Sequence, residues 1–522
     1  MQFFVMKENG SKLIWIVLGA VVFNLVFWGQ KMGVNTAIYD VFIIGALLYL
    51  YPEARRSSTT RWLLAGHLVC LAMVIVQNTP ISAFGYIITL ICFMLSAQFQ
   101  HRSLFFAAGS FAENGLYLIP NLLTQGWTSG TPAGKSSGKR RMIRFILFPL
   151  ILAIVFYLLY ASSNNVFQKL GSFFTDRIEA FLTAVFNVFS FERMLFLVLG
   201  ILVTGFLIMR TPRRYFRSME EGYKDDLERE HISLSKRKLR FDFSIMSLFM
   251  GRMLQSILSL KFLNKMGVVS LIMLNLLLVI LNVIDISHLW LGYEYVKDQN
   301  LYAMIHDGTD TLIFSIVMAI VVLLIFFQGN LNFYKKNIWL KRLAYLWIAQ
   351  NALLCISVLL RDYYYILQSG LAYKRIGVLF YLALVFFGLA SMFWKIYRRR
   401  STYFLLRVNA WAVIVLLVVA TTIDWDYQIA KYNFSRANEI ILPVDFMVTL
   451  EGRAIPLLEQ NRELLKKHQQ LMAAAGQWKK ECADCFLGDI DWRKKMFFQD
   501  MEGTNWLSWN LLDATVSKQL KK

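Results

Sequence analysis

Chemistry in this chain would have to come from a few polar residues set between long apolar runs. His288, Glu294, His306 and Asp310 are of the types that ligate a metal, and His306 and Asp310, four apart, would share a helix face. Their spacing matches no compact ligand pattern such as H-E-x-x-H, so neither a metal nor a cofactor is expected. Asp307 and Asp424 could act as general bases on a lipid-linked substrate, although no carboxylate pair or nucleophile is fixed around them. The stretch "RDYYYILQSGLAYKR" adds Arg361, Asp362 and Arg375, and the neighbouring segments add Asp285 and Asp426. For most of this cluster the expected role is mutual pairing of charges across loops, which pins the ends of membrane spans.

Two further residues differ in address. Asp40 and His67 each fall inside an apolar run, where an ionisable group faces a bundle interior or a water-filled cavity. A helix-to-helix hydrogen bond is the expected reading, and a conduction or proton path the alternative. Cys482 and Cys485 form a C-x-x-C in the C-terminal region and are read as a local disulfide. Cys70, Cys92 and Cys355 lie in apolar runs as small packing residues. The stretch "TSGTPAGKSSGKRR" resembles a phosphate-binding loop only superficially. The first glycine of that motif is replaced by Ser129, so a basic linker touching anionic lipid is expected.

The elements that would position these residues are helices in a bilayer. Of 522 residues, 57% are hydrophobic and only 17% charged, far more apolar surface than a soluble domain can bury. About eleven apolar runs are long enough to cross a bilayer as helix. They lie near 13–28, 34–51, 62–77, 80–99, 142–162, 193–209, 266–284, 309–327, 343–360, 376–394 and 403–422. Residues 174–189 have amphipathic spacing and are expected to lie in the interface. The net charge of +21 sits in short patches between the runs, which fits lipid headgroups rather than nucleic acid. Alternate loops on the N-terminal side carry a large excess of Lys and Arg, which places the N-terminus in the cytoplasm and the C-terminal region outside.

The expected architecture is therefore an all-α polytopic transmembrane bundle with a small helical extracytoplasmic C-terminal module. It divides into a first membrane region (1–209), a basic cytoplasmic loop (210–265), a second membrane region (266–422) and the module (423–522). The loop is read as short surface helices that serve as a solvated connector or a docking surface.

Ordered weak motifs across residues 265–515 carry a resemblance. These are Tyr302, His306 and Gly308; Arg361, Tyr365, Gly370, Leu371 and Arg375; "DWDYQIAKYN"; Asp445 followed by "RAIPLL"; and Trp506, Trp509 and Asn510. Together they resemble a bacterial membrane family catalogued as domain of unknown function 4173, to which a family numbered 4153 is related. The chain departs from that pattern at Asp424, where Asn is usual, at Ala372 for Thr, and at Arg453-Ala454 for an Asp-Ala pair. The resemblance implies the topology and the grouping of the outer-face residues, but no activity.

From these readings the chain is expected to be a multi-pass protein of the bacterial inner membrane, serving envelope assembly, signalling or scaffolding without catalysis. Transport of a small solute or lipid, and an enzyme on a lipid-linked substrate, are the alternatives. Expected partners are membrane lipids and a protein bound through the module or the 210–265 loop, with no nucleic acid.

Overall fold

The computed structural model describes residues 2–125, 153, 191–210, 215–229, 260–290, 299–327, 329–474, 485–502 and 504–521. The described chain is all helical, with one isolated bridge between Asp226 and Arg400. Helices α1 (Gln2–Phe27), α2 (Val34–Leu50), α3 (Ser58–Val76), α4 (Pro80–Phe99), α5 (Leu104–Gln125) and α6 (Phe191–Ile208) form the N-terminal part. A short α7 (Tyr215–Glu221) precedes α8 (Leu260–Asp285), α9 (Gln299–Phe326), α10 (Ile338–Ser369), α11 (Tyr373–Arg398) and α12 (Thr402–Thr421). The C-terminal part holds α13 (Trp425–Ser435), α14 (Val444–Met447), α15 (Ala454–Gln460), α16 (Arg462–Ala474), α17 (Cys485–Met501) and α18 (Leu511–Leu520).

Six of these helices, α3, α4, α8, α10, α11 and α12, are long and apolar enough to cross a membrane by length and composition. Three further expected runs are shorter apolar helices, at Lys12–Phe27, Val34–Leu50 and Thr311–Phe326. The run at 193–209 lies on α6. The run at 142–162 and the interfacial helix at 174–189 fall outside the described residues, apart from Ala153. Among the described residues, length and composition thus support six crossings of the about eleven expected.

Three cores hold the helices together. Ile43, Leu47 and Phe93 centre the first, among α1 to α6. Leu271, Leu340 and Leu389 centre the second, among α8 to α12. Ile429, Leu442, Leu458 and Phe486 centre the third, in the C-terminal part. Helix α12 joins the first two, packing on α3, α4 and α5 as well as α11. Its Thr421 lies over Gly85, where any Cβ would collide with the threonine methyl.

In an apolar medium, polar side chains must specify which helices pair. On α8, Asn264, Asn275 and Asn282 share a buried face with Gly267, Leu271, Leu278 and Asp285. Their amides donate to backbone carbonyls of Lys336 (3.3 Å), Leu343 (3.2 Å) and Gln350 (3.2 Å). Gln350 returns a bond to Asn275 Oδ1 at 2.8 Å. Partners advance together along both chains, so α8 and α10 run parallel. Each such bond is worth roughly 0.6 kcal/mol in a membrane interior, and the series fixes register more than it adds stability.

Candidate functional site

The bridge between α10 and α11 is built around a glycine. Gly370 has φ 78° and ψ −176°, a backbone region essentially closed to other residues. Its conformation turns Leu371 toward α13, where the fully buried Asn433 accepts from the Leu371 N–H at 2.6 Å and donates to its carbonyl at 2.9 Å. A Cβ on Gly370 would stand 2.5 Å from Asn433 Oδ1. Arg375 folds back to donate to the carbonyls of Ser369 (2.9 Å) and Gly370, with its guanidinium 4.0 Å over the Tyr365 ring. Arg375 thereby satisfies the carbonyls orphaned at the end of α10. Gly370, Leu371, Tyr365, Arg375 and the Asn433 that ends "DWDYQIAKYN" thus form one joint.

The expected polar cluster separates into two groups. Nearer the helices, Arg361 bonds Asp285 at 2.5 Å, with the carboxylate 4% exposed. Asp362 is buried one residue on and lies within electrostatic reach of Arg375, and its Oδ2 has no hydrogen-bond partner among the described residues. In the C-terminal part, Asp424 caps α13 by accepting from Tyr427 N at 3.2 Å and pairs with Arg453 at 3.8 Å. These are two of the positions at which the chain departs from the resembled pattern, and they meet as opposite charges. Asp426 accepts from the Tyr373 hydroxyl at 2.6 Å. Burial pushes the Asp426 carboxyl up to about 6; the Tyr373 bond opposes this, and the charge of Asp424 adds to it. Burial likewise raises Asp424.

The remaining members are placed by element only or fall outside the described residues. His288 lies in the turn Ile286–Trp290 that closes α8, and His306, Asp307 and Asp310 lie in the opening turns of α9. Glu294 and Cys482 fall outside the described residues, and Cys485 is the first residue of α17. Cys70, Cys92 and Cys355 are free thiols within helices.

Asp40 and His67 meet inside the N-terminal bundle. His67 Nε2 is 3.0 Å from both carboxylate oxygens, its Nδ1 is 3.1 Å from Thr89 Oγ1, and the Tyr86 hydroxyl donates to Asp40 Oδ1 at 3.4 Å. Both side chains of the pair are 0% exposed. The group ties α2, α3 and α4 together, and the Phe93 ring stacks at 6.2 Å from the imidazole.

A third group was not anticipated from sequence. Glu220 of α7 is buried, accepting from His101 Nδ1 (2.8 Å), Ser103 N (2.7 Å), Tyr403 Oη (2.7 Å) and Arg102 N (3.3 Å). Burial alone would raise this carboxyl, but the bonds from His101, Tyr403 and Ser103 outweigh it and leave the group lowered. His101 Nε2 contacts Ser110 Oγ at 2.7 Å, completing the distances of a Ser-His-Glu triad. The arrangement is nonetheless a staple. Phe216 of α7 covers Gly109 beside Ser110, so lifting α7 to admit a substrate would withdraw Glu220 with it. Around it, Arg407 pairs with Asp225 and Arg400 with Asp226, both at 2.6 Å. Residues 215–229 are therefore bound to the α4–α5 and α11–α12 turns. No local spacing could announce this, because His101 and Glu220 lie 119 residues apart.

No curated protein and no solved structure in the comparisons matches the chain. The model of one family, described as "Domain of unknown function (DUF4153)", matches residues 40–461, which takes in the Asp40–His67 pair, the Glu220 staple and the Gly370–Asn433 joint. The chain belongs to that family.

Proposed function

We propose that the chain is a multi-pass protein of the bacterial inner membrane, N-terminus in the cytoplasm and C-terminal module outside, that serves envelope assembly, signalling or scaffolding without catalysis. The observation that carries this reading is the double attachment of the module. One attachment is the Asn433–Leu371 joint to the second bundle. The other reaches the first bundle: Val34 N donates to Trp509 O (3.2 Å), Lys31 N to Ser508 Oγ (2.9 Å) and Asn505 N to Gln30 Oε1 (3.1 Å). Gly33 sits so close to the Ser508 and Trp509 backbone that no side chain would fit. A module held at two points presents a surface of fixed orientation, and Trp492 (57%), Trp506 (67%) and Trp509 (47%) remain exposed on it. Exposed tryptophans are enriched at protein contacts and at membrane interfaces.

The other readings fit the geometry less well. A solute passing Asp40 and His67 would have to break an enclosed hydrogen-bonded pair, and the carboxylates of Asp285, Asp424 and Asp426 are spent on neighbours. Kinship with the family numbered 4173 belongs to this proposal and rests on the outer-loop motifs alone.

Photo-crosslinking residues placed at Trp492 and Trp506 in growing cells test the reading. Discrete protein adducts at both sites are expected. Adducts to lipid alone, or reaction of cysteines at these sites with an impermeant maleimide only after lysis, would overturn the partner and the orientation respectively.

A further inference from the structure

At the end of the second bundle remote from the module, cations gather that have no acidic partner among the described residues. Lys335 and Lys336 are exposed just before α10, Lys341 and Arg342 lie in its opening turns, and Arg398 and Arg399 close α11. The Asn264 bond to Lys336 O brings the start of α8 to the same place. Lys341 lies within electrostatic reach of Arg399, so two like charges are held near one another by separate helices. None of these six has an acidic partner among the described residues, whereas the next arginines along, Arg400 and Arg407, are paired with Asp226 and Asp225. Unneutralised charge thus begins abruptly at Arg399.

Aromatic rings frame the same patch. The guanidinium of Arg342 lies 5.3 Å over Trp339, that of Arg398 lies 5.4 Å over both Trp394 and Tyr397, and that of Arg399 lies 5.6 Å over Phe333. Trp339 (64%), Trp394 (45%) and Tyr397 (57%) remain exposed. Exposed Trp and Tyr at the ends of apolar helices mark the depth of lipid headgroups. Neighbouring Lys395 is buried and already donates to Phe327 O at 2.6 Å, so it does not compete as a ligand.

Like charges anchored at helix ends repel unless an anion stands between them. At headgroup depth the abundant anion is a lipid phosphate, and basic pockets between helix ends are known to hold such groups. We propose that this end of α8, α10 and α11 binds the phosphate of an anionic phospholipid, with Lys341 and Arg399 as its direct ligands. Arg342 and Arg398, oriented by the rings beneath them, flank the headgroup, and the exposed faces of Trp339 and Trp394 contact the glycerol and upper acyl region. This inference rests on the membrane reading above.

The full chain in nanodiscs of phosphatidylcholine, with and without phosphatidylglycerol, provides the test. Phosphatidylglycerol is expected to raise the thermal midpoint of the natural protein by several degrees. Lys341→Gln is expected to reverse in sign: it relieves repulsion and holds or raises the midpoint in phosphatidylcholine, yet loses at least half of the rise given by phosphatidylglycerol. Arg436→Gln, at the opposite end and paired with Glu439, should keep the whole rise. An equal rise in the natural protein and Lys341→Gln overturns the proposal, as does an equal rise from inorganic phosphate. Native mass spectrometry of the natural protein supplies a readout that needs no variant: retained phosphatidylglycerol in preference to phosphatidylcholine is expected, and no preference refutes the site. Carbonate extraction separates the two levels. Release from membranes would sink the membrane reading itself, whereas retention without lipid preference would sink only this site.

Discussion

The Gly370–Asn433 joint makes a prediction that can be worked through. Asn433→Ala removes two hydrogen bonds to Leu371, at 2.6 and 2.9 Å, from a fully buried side chain. At about 0.5–1.5 kcal/mol for each bond, the loss is about 1–3 kcal/mol. Gly370→Ala forces a Cβ into a backbone region that costs about 1–3 kcal/mol for a non-glycine residue, and that Cβ would also stand 2.5 Å from Asn433 Oδ1. If the two changes were independent, the double variant would lose about 2–6 kcal/mol. They share one contact, so they should not be independent. Once Asn433 is gone the new methyl meets only the Ile440 Cδ1 methyl, at 3.1 Å, and the double variant should fall short of the sum by about 1–2 kcal/mol, within the range seen for touching residues. Hydrogen exchange at the Leu371 amide is the direct assay, with thermal midpoints in detergent as the global one. Exchange there should quicken at least tenfold for each 1.4 kcal/mol lost locally, and Asn433→Asp, which keeps the acceptor but sets an anion against the Leu371 carbonyl, should be no better than alanine. Strict additivity, or an unchanged Leu371 amide in Asn433→Ala, would refute the joint.

Three other outcomes follow from the buried charges. His67→Ala should cost about 1–3 kcal/mol because it leaves the buried Asp40 carboxyl without its His67 hydrogen bond, while Asp40→Asn with His67→Gln should recover much of that loss in thermal midpoint. Glu220 is lowered in the folded chain, so its contribution is present above the ordinary carboxylate value of 4.5 and is lost as pH falls through the lower folded value; hydrogen exchange across 215–229 should therefore rise only in that acid range, and Glu220→Gln should show the rise at neutral pH. Asp426 has the opposite sign: between 3.8 and about 6 the folded chain holds a proton the unfolded chain has released, so the module loses stability as pH rises through that window. Asp426→Asn should flatten this slope in pH-dependent melting and be at least as stable above it.

Legibility in the sequence followed separation along the chain. The helical class and the positions of α3, α4, α8, α10, α11 and α12 could be read from apolar runs because hydropathy is a local property, but α10 continues to Ser369, so Arg361 and Asp362, expected in a loop, lie on the helix. Asp40 and His67 could be picked out as interior residues for the same reason, though not as each other's partners. Their contact depends on the crossing of α2 and α3, which packing decides. Arg361 and Asp285 were grouped only by topology, and the structure adds that α8 and α10 run parallel, which brings these residues to one end. Glu220 was hidden in a charged stretch that looks solvated, since its donors come from residues 101–103 and 403. Asn433 was likewise hidden: an asparagine near the end of a short helix carries no mark of the backbone it holds across 62 residues.

The two ends of the bundle are fastened by different means, and the difference bears on what each end can do. At the module end, the joint at Leu371 and the strap at Gly33–Val34 are closed by backbone groups with single amide or hydroxyl side chains, bonds that salt does not screen, and the Lys31–Asp500 pair beside the strap is exposed. At the far end, the 215–229 segment is fastened through charges, with Glu220, Asp225 and Asp226 meeting His101, Arg407 and Arg400. Exposed ion pairs such as Arg400–Asp226 weaken as salt rises, whereas the buried Glu220 bonds do not share that screening. Raising salt should thus loosen residues 224–229 before residues 215–221, and should leave the Leu371 and Val34 amides unaffected in the same exchange experiment. Uniform loosening across both ends would mean that the helices, rather than these fastenings, set local stability, and the case for a module held in fixed orientation would fail with it.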